Sequence, residues 1–478
     1  MKRGEAYLTV YLTLCLTLIL SLYLALIESA RRNGAGLEAV CVTEAGIQSI
    51  MAEYHRELLE QYNLFAIDSS YGTSVCGKSN TEARLMQYLQ RNLSLEDVLL
   101  SDYLYRDFFG LQAASAKLTR TSILTDGKGA EFRMRAVEAV KADVGLQLLE
   151  TMGEWMEVIE VNGLDRTDTD ERKKEVDEKL AEYNGREVQL SDGESGYVEL
   201  ENPTTGLEAK RRMGILRLVV EESELSDRVI DSGSLIKSRM EQENYNLGNL
   251  ETAEADSLTD RFLFQEYLLR YMGHYGNTDD GDALGYQIEY LIAGTDSDRD
   301  NLRSVVNRIC ALREAANAAY LFSDKEKMLE IEAAATLLCG LLLLPELIPL
   351  VEAAILLGWA FAESVYDVKS LLSGGRIPLI KDRDSWHYSL EAALQGALED
   401  ETGEGEGLSY EDYLRIFMMF TDLDVLTGRA MNMVEADIRM TPGNGSFRLD
   451  ACFDRLEVLV SISSSFGYQF EIQRQRTY

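Results

Sequence analysis

An uncharged apolar run near the N-terminus constrains the fold of this chain more than any other feature. Residues 6–27 hold no charged side chain, and Glu5 and Glu28 bracket them. As a helix that rises about 1.5 Å per residue, the run is about 33 Å long, which matches a hydrocarbon core of about 30 Å. The run therefore predicts a transmembrane helix, and we expect the protein to contact membrane lipid through residues 6–27.

Three cleavable signals share features with such a run. A secretory signal peptide has an apolar core of about 7 to 15 residues and a small-x-small cleavage site, and the sequence at 27–29, Ile-Glu-Ser, is a poor site. A lipoprotein signal needs a small residue before Cys15, where Leu14 stands. A prepilin-type signal is cut after a glycine that precedes the helix, and Gly4 has that position. We predict a retained anchor and leave cleavage after Gly4 open.

Small hydroxyl residues recur every fourth position along this run. They mark one face of the predicted helix, and they are Thr9, Thr13, Thr17 and Ser21. In lipid such groups bond either to a neighbouring helix or back to carbonyls of their own helix. The stripe therefore leaves two interpretations open, an association face and an isolated tether.

Charge limits the partners of the remaining chain. The 478 residues carry a net charge of −34, which argues against nucleic acid and against an anionic membrane surface, because both need basic patches. Two basic residues precede the span, at 2–3, and two follow it, at 31–32, so the positive-inside count is a tie. Since Gly4 and the long acidic part fit export, we predict a single pass with residues 31–478 outside the cytoplasm.

The hydrophobic fraction of 46% is sufficient for large cores, and local patterns predict a mainly α protein with α+β elements. We expect a transmembrane helix that continues into a helical stalk, then an acidic, helix-rich ectodomain with short antiparallel strands and a C-terminal β-hairpin. The predicted parts are a leader and anchor at 1–30, a stalk helix and first helical part at 31–185, a variable acidic β-rich or flexible insertion at 186–256, and a second α+β part at 257–478.

Periodicity gives more specific predictions. Helices are expected at 36–62, 80–92, 95–108, 126–160 after a turn, 167–180, 257–270, 299–322, 409–420 and 423–440. Strands are expected at 65–68, 111–124, 215–220 and 286–292, and the alternating residues at 456–462 and 468–472 predict the terminal hairpin. A second apolar region at 333–362 is interrupted by Pro345 and Pro349. We interpret it as two buried core helices, with a second span or re-entrant loop as the alternative.

The search for chemistry yields no constellation. Alternate aspartates at 296–300 imitate the start of a calcium loop, but Asn301 and Asn307 stand where an EF-hand needs glycine and glutamate. We therefore predict that Asp296 or Ser297 caps the following helix. The glycines at 403–407 lack the spacing of a nucleotide loop. We expect no catalytic, cofactor-binding or metal-binding residue, and no enzyme.

Cysteines and histidines add little. The six cysteines have no CxxC or metal-ligand spacing, and only a Cys41–Cys76 disulfide is left open. The three histidines, His55, His274 and His387, match no catalytic motif, and we interpret His55 as a surface or packing residue of the stalk helix.

Several short motifs together resemble an uncharacterised family of membrane-anchored bacterial surface proteins whose genes lie among those of tight-adherence (Tad) pilus machinery. The motifs are LTVYL at 8–12, IESAR at 27–31, EYHRELL at 53–59, YNLF at 62–65, EYLIAG at 289–294, REAAN at 313–317 and WAFAES at 359–364. The anchor is also similar to the TadE and TadG pseudopilins, whose cleavage glycine precedes a long apolar helix. Those helices carry a glutamate where this chain has Thr9.

The resemblance implies a structural, assembly or minor-pilin-like component of a Tad-like pilus apparatus, with pilins or pseudopilins as partners. The residues alone imply an anchored acidic ectodomain, so a stand-alone cell-surface adhesin or binding ectodomain is the alternative function.

Overall fold

The computed structural model describes residues 2–73, 75–94, 109–143, 145–161, 163, 169–183, 187–189, 195–197, 203–241, 248, 257–341, 345–396, 398 and 405–478. The described chain is mainly helical, with one small antiparallel sheet and one short strand pair, as predicted. It divides into two compact units. Unit 1 comprises residues 1–136, 239–254 and 441–478, and unit 2 comprises 137–238 and 255–440.

Unit 1 contains the long N-terminal helix and the sheet. Its helices are α1 (Lys2–Met51), α2 (Arg56–Tyr62), α3 (Lys78–Leu93) and most of α4 (Asp126–Val140), and its strands are β1 (Ile67–Asp68), β2 (Leu111–Ile123), β5 (Cys452–Ser464) and β6 (Gln469–Thr477). β5 is central: it pairs antiparallel with β2 on one edge and with β1 and β6 on the other. The C-terminal hairpin and the strand at 111–124 are therefore confirmed, and both ends of the chain meet in one sheet.

The core of unit 1 lies between the helices and this sheet. α1 contributes Ala35, Ala39, Val42, Ile47 and Ile50, and α3 contributes Leu85 and Leu89. The facing strands contribute alternate apolar residues, including Val458, Val460 and Ile462 of β5 and Ile472 of β6. Side chains on one face of a strand repeat every second residue, which is why the alternation in the sequence identified this face correctly.

The stalk helix does not run unbroken to residue 62. α1 ends at Met51, and α2 begins at Arg56 after His55, whose ring accepts the amide N–H of Leu58. The amide N–H of His55 donates to the carbonyl of Ala66, which leads into β1. The break is therefore made by a histidine cap and by a contact with the next strand, and periodicity alone does not reveal either.

Unit 2 is helical apart from one strand pair. Its helices are α5 (Leu146–Val161), α6 (Thr169–Tyr183), α7 (Thr205–Met213), α8 (Ile215–Val219), α10 (Leu258–Tyr271), α11 (Gln287–Ala293), α12 (Asp298–Ser323), α13 (Lys325–Leu341), α14 (Ile348–Leu372), α15 (Leu390–Gln395), α16 (Tyr410–Phe420) and α17 (Leu423–Met440). A short helix α9 (Ile236–Met240) crosses the boundary between the units. Strands β3 (Glu187–Gln189) and β4 (Ser195–Tyr197) pair antiparallel. α12 and α14 pack together at the centre of this unit.

Two predicted strands are wrong. The runs at 215–220 and 286–292 form α8 and α11. Both are short and apolar, and such runs have no period that separates a buried helix from a buried strand. In α11 even Gln287 and Glu289 are buried, because Gln287 bonds to Asp437 and Glu289 to Tyr410.

Other predictions hold in part. The turn expected at 126–129 is present, because Gly127, Lys128 and Gly129 have positive φ within the span given for α4. The helix expected from this turn to about residue 160 forms as two helices, α4 and α5. The insertion at 186–256 holds the β3–β4 pair, but its described residues from 203 to 240 are mainly helical. The region at 333–362 forms two helices as predicted, α13 and α14, but only α14 is a buried core helix. In α13, Leu337 is 67% exposed, so the expectation that both helices are buried is wrong for α13. The helix expected at 95–108 lies outside the described residues.

Candidate functional site

The first half of α1 presents a continuous apolar surface that the described chain does not cover. Every large apolar side chain from Tyr7 to Leu26 is at least 54% exposed. Two described helical segments, Tyr7–Met51 and Pro345–Leu372, are long and apolar enough to cross a membrane. The apolar part of the second is 67% buried, whereas that of the first is 0% buried. The length and composition of the first fit both a membrane anchor and a signal sequence.

The hydroxyl groups on this surface bond within their own helix. Thr13, Thr17 and Ser21 each donate to the carbonyl three residues earlier, at 2.8–2.9 Å. A hydroxyl that is already bonded to its own helix is not available as a donor to a neighbour. The hydroxyl oxygens can still accept a hydrogen bond from a neighbouring helix, so an association face stays a prediction.

The second half of α1 fits tightly against unit 1 because it carries glycine at three contacts. A Cβ atom on Gly34 would lie 2.7 Å from the ring of Phe109, and one on Gly36 would lie 3.2 Å from the ring of Phe470. At Gly46 the nearest atom would belong to Leu89, at 3.0 Å. The glycines therefore permit a close approach between α1 and its partners, and larger residues would force the helix outward.

An ion-pair cluster fixes the same half of α1 to the last strand. The carboxylate of Glu44 accepts hydrogen bonds from Arg474 and Arg476 of β6. The hydrogen bond from Arg474 is the main reason that the pKa of Glu44 lies below its ordinary value. α1 is thus continuous from the exposed apolar half into a half that is packed and ion-paired, and no linker separates the two.

Unit 2 contains a fully buried network of charged side chains. Arg313 of α12 donates to Asp367 of α14 at 2.9 Å, and Lys381 pairs with both Asp367, at 2.6 Å, and Glu363. All four side chains are 0% exposed. Asn317 adds a hydrogen bond to Asp367 at 2.9 Å. Two cations and two anions balance, which is the condition under which charges are tolerated in a core.

The pKa of Asp367 follows from this balance. Burial by itself would raise it, but the positive charges of Arg313 and Lys381 outweigh burial and hold the pKa below its ordinary value. Arg313 also donates to the carbonyls of Pro378 and Leu379, and Glu363 accepts the amides of His387 and Tyr388. The network therefore fixes the extended segment after α14 against the α12–α14 pair.

The short motifs singled out in the sequence supply these buried contacts. REAAN at 313–317 contributes Arg313, Asn317 and Glu314, and the last of these pairs with Arg211 at 2.9 Å. WAFAES at 359–364 contributes Glu363, Ser364 and the indole of Trp359, which donates to the carbonyl of Tyr388. Because the motif residues hold helices together through polar contacts, their described roles are structural.

The motif EYLIAG at 289–294 has the same character. The hydroxyl of Tyr410 donates to Glu289 at 2.6 Å, and Tyr290 accepts from Asn432. Gly294 ends α11 at φ +80°, and a Cβ there would lie 2.1 Å from the guanidinium of Arg429, which donates to two carbonyls of that helix. Only glycine fits this helix end.

Two carboxyl groups have a pKa near neutrality. Burial and then the neighbouring Asp437 raise the pKa of Asp282 to about 7, in a cleft of about 480 Å³ that Arg228 and Arg439 also line. In unit 1, burial and then Asp454 raise the pKa of Glu131 to about 7. Such groups exchange protons at neutral pH, but no histidine or cysteine is among the described residues that line the Asp282 cleft. This geometry offers a group that can exchange protons, and Ser234 is the one hydroxyl side chain among the described residues that line the cleft.

Side chains of the segment at 296–301, which resembles the start of a calcium loop, bond to the protein's own backbone. Asp298 accepts the amides of Gly285 and Tyr286, and Asn301 bonds to both backbone groups of Thr295. Ser297 is the N-cap residue of α12, as predicted, but its side chain makes no capping hydrogen bond. Within the described residues, no group of three or more His, Cys, Asp or Glu is placed to hold a metal ion.

The histidines and cysteines make ordinary contacts. His55 packs against Phe447, and burial lowers its pKa; the ring of His387 stacks on Tyr366 with 3.9 Å between centroids. Cys41 and Cys76 are both free, so the disulfide left open by the sequence does not form.

Comparisons with known proteins give one match. Residues 193–464 match a protein family described as a family of unknown function (DUF5702). No curated protein matches the chain, and no solved structure does. The match covers most of unit 2 and part of the sheet, and it begins well after the apolar half of α1.

Proposed function

The chain belongs to the DUF5702 family of unknown function, and we propose that it is a single-pass, membrane-anchored surface protein that acts as a non-enzymatic structural, assembly or minor-pilin-like component of a Tad-like pilus apparatus. In this proposal residues 6–27 span the membrane and residues 31–478 lie outside the cytoplasm. Pilins or pseudopilins are the partners, in keeping with the resemblance of the anchor to TadE and TadG.

One observation carries the proposal: α1 is a single helix from its exposed apolar half to Met51, and its second half is packed into unit 1. A flexible tether would suffice to display a binding domain. A rigid helix instead fixes unit 1 relative to the membrane-spanning segment, so that the position of the span determines the position of the sheet. This coupling is useful for a subunit that must align with others.

The composition of the packed half supports the same function. Gly36 and the ion pairs of Glu44 hold α1 against β6, whereas Gly34 allows close contact with Phe109 and Gly46 with Leu89 of α3. A tether whose only task is attachment does not need such a fit. The alternative, a stand-alone adhesin, requires only that the ectodomain be displayed.

The test breaks the coupling without removing the anchor. Five flexible residues, Gly-Gly-Ser-Gly-Gly, are inserted between Arg32 and Asn33, two exposed residues just before the contact of Gly34 with Phe109. The matched control places the same insertion after Gly276, in an exposed turn of unit 2. Both variants have Cys15, Cys41 and Cys76 replaced by serine and carry Asn277→Cys, an exposed position that an impermeant thiol reagent reaches on intact cells if unit 2 is outside.

We expect both variants to be labelled on intact cells, but only the control to co-purify with pilins. If the Arg32–Asn33 insertion leaves co-purification intact, or if the unmodified chain is purified alone, the assembly function is refuted and the adhesin alternative is favoured. Labelling that appears only after lysis refutes the proposed topology.

A further inference from the structure

The turn between β5 and β6 lies beside the point where α1 leaves the apolar run. The hydroxyl of Tyr468 donates to the carboxylate of Glu28, the first residue after that run. The guanidinium carbon of Arg31 lies 4.3 Å from the centre of the Phe466 ring. The turn thus contacts α1 within one helical turn of the end of the proposed span.

The helical rise places these contacts at the depth of the lipid headgroups. If the hydrocarbon core ends at Ile27, Arg31 and Arg32 lie about 6 and 7.5 Å further along the axis. The headgroup region extends about 5–7.5 Å beyond each side of the hydrocarbon core. Both guanidinium groups are therefore at the level of the lipid phosphates, and Phe466 and Tyr468 are held beside them.

The turn is held in place by its own backbone contacts. The amide of Ser465 donates to the carbonyl of Gly110 at 2.8 Å, and the amide of Gly467 donates to Ser464 at 2.9 Å. Gly110 has φ +56°, and a Cβ there would lie 1.9 Å from the hydroxyl oxygen of Ser465. Phe466 is thus presented by a fixed turn, yet 48% of it is exposed.

We propose that the β5–β6 turn is a second membrane contact, in which Phe466 and Tyr468 lie in the headgroup region and Arg31 and Arg32 bind phospholipid phosphates. Aromatic rings are enriched at this depth, and arginine matches the geometry of a phosphate. The inference rests on the proposed membrane span, with which the surface is continuous. The contacts of the turn with Glu28 and Arg31 place it at headgroup depth. For this reason we favour a phospholipid surface over a protein partner.

The contact has a consequence for the orientation of unit 1. A single helix leaves a protein free to tilt and to rotate about the helix axis, whereas a second contact to one side of the helix limits both motions. The acidic character of the whole chain does not oppose this contact, because exposed charges farther away than about 8 Å are largely screened at physiological ionic strength.

The test measures the depth of this turn in a bilayer. The full-length protein is reconstituted in vesicles of phosphatidylethanolamine and phosphatidylglycerol, and single nitroxide spin labels are placed by cysteine substitution at Phe466, Leu16 or Gln475. Gln475 is the matched control, because it is exposed on β6 about 23 Å along the strand from the turn at about 3.3 Å per residue. The cysteines replaced by serine beforehand are Cys15, Cys41 and Cys76.

Collision rates with oxygen and with a water-soluble nickel chelate then give the depth of each label. We expect the label at Leu16 to be in the hydrocarbon, that at Gln475 in water, and that at Phe466 between them. Replacing Arg31 and Arg32 together by glutamine should shift the Phe466 label toward the Gln475 value.

Each of the other possible results refutes a different part of the proposal. If the Phe466 label is as accessible to nickel as the Gln475 label while Leu16 is in lipid, the second contact is refuted and the span stands. If the Leu16 label is in water, the span itself fails, and the proposed function with it. A Phe466 label that neither reagent reaches indicates a protein partner and refutes the lipid contact. An unchanged depth after both arginine substitutions refutes the phosphate interaction.

Discussion

Replacing Asp367 by asparagine should destabilise unit 2 strongly while leaving its shape nearly unchanged. The side chain keeps its size, but the core then holds the cations Arg313 and Lys381 against the single anion Glu363. All of these side chains are 0% exposed, so water cannot screen the unpaired charge. Removing one partner of a buried pair costs about 3–5 kcal/mol. With a urea m-value of about 3 kcal/mol/M, the unfolding midpoint should fall by about 1–1.7 M.

The assay uses the tryptophans of unit 2 as reporters. All three, Trp155, Trp359 and Trp386, belong to this unit, so their fluorescence in a urea titration of the detergent-solubilised chain follows unit 2 alone. The matched control is Glu326→Gln, which breaks an ion pair with Arg383 whose side chains are 69% and 63% exposed. Exposed pairs contribute about 0.2–1 kcal/mol, so the control midpoint should barely move.

A second variant separates charge imbalance from lost packing. Adding Lys381→Met to Asp367→Asn removes the unpaired ammonium and leaves Arg313 and Glu363 balanced. We expect the double variant to recover about 0.5–3 kcal/mol relative to the simple sum of the two changes, because the two sites share one network. Two results would show that the four charges do not compensate one another. One is that Asp367→Asn lowers the free energy of unfolding no more than Glu326→Gln does. The other is that the effects of Asp367→Asn and Lys381→Met on the free energy of unfolding simply add.

Two further predictions concern unit 1. Because the pKa of Glu131 is raised to about 7, the folded state binds its proton more tightly than the unfolded state between about pH 4 and 7. The stability contribution of protonated Glu131 is therefore lost as pH rises toward 7. Glu131→Gln should flatten the decline in the stability of unit 1 between pH 5 and 8, measured by hydrogen exchange in β5 after correction for the intrinsic exchange rate at each pH, whereas the exposed control Glu471→Gln should not. An unchanged pH profile in Glu131→Gln contradicts the assignment. Gly34→Leu should weaken the packing of α1 by about 1–3 kcal/mol, because the added Cβ would lie 2.7 Å from the Phe109 ring. We expect faster hydrogen exchange in β5 as a result. The control Leu37→Ala changes a side chain that is 66% exposed, and equal exchange rates in the two variants would contradict the predicted overpacking.

Local patterns were sufficient for elements whose signal lies within the element itself. The apolar run at 6–27, the alternation at 456–462 and 468–472, and the periodic helices at 409–420 and 423–440 all appear in the structure close to their predicted bounds. In each case, the period or the length of the run distinguishes one backbone geometry from the other. The uncertain elements were short and apolar, and α8 and α11 were mistaken for strands.

The roles of the buried polar residues could not be read from the sequence. Arg313 and Asp367 are 54 positions apart, and Glu363 and Lys381 are 18 apart. Their types suggest a solvated surface, because charged residues are rarely buried unless paired, and pairing is a property of the packed helices. The short motifs contain Arg313 and Glu363 but neither Asp367 nor Lys381, and only the packing of α12 against α14 shows which residues pair.

By itself, the sequence determined that the chain has one uninterrupted apolar run long enough to span a membrane, a mainly helical acidic remainder and a terminal hairpin, because length, charge and periodicity are properties of contiguous residues. The tertiary structure alone decided that this hairpin joins β2 and packs on α1, that its turn lies beside Glu28 and Arg31, and that four charges compensate one another in the core of unit 2. These contacts link residues up to 440 positions apart, and their free energy depends on burial and distance, which exist only once the chain is folded.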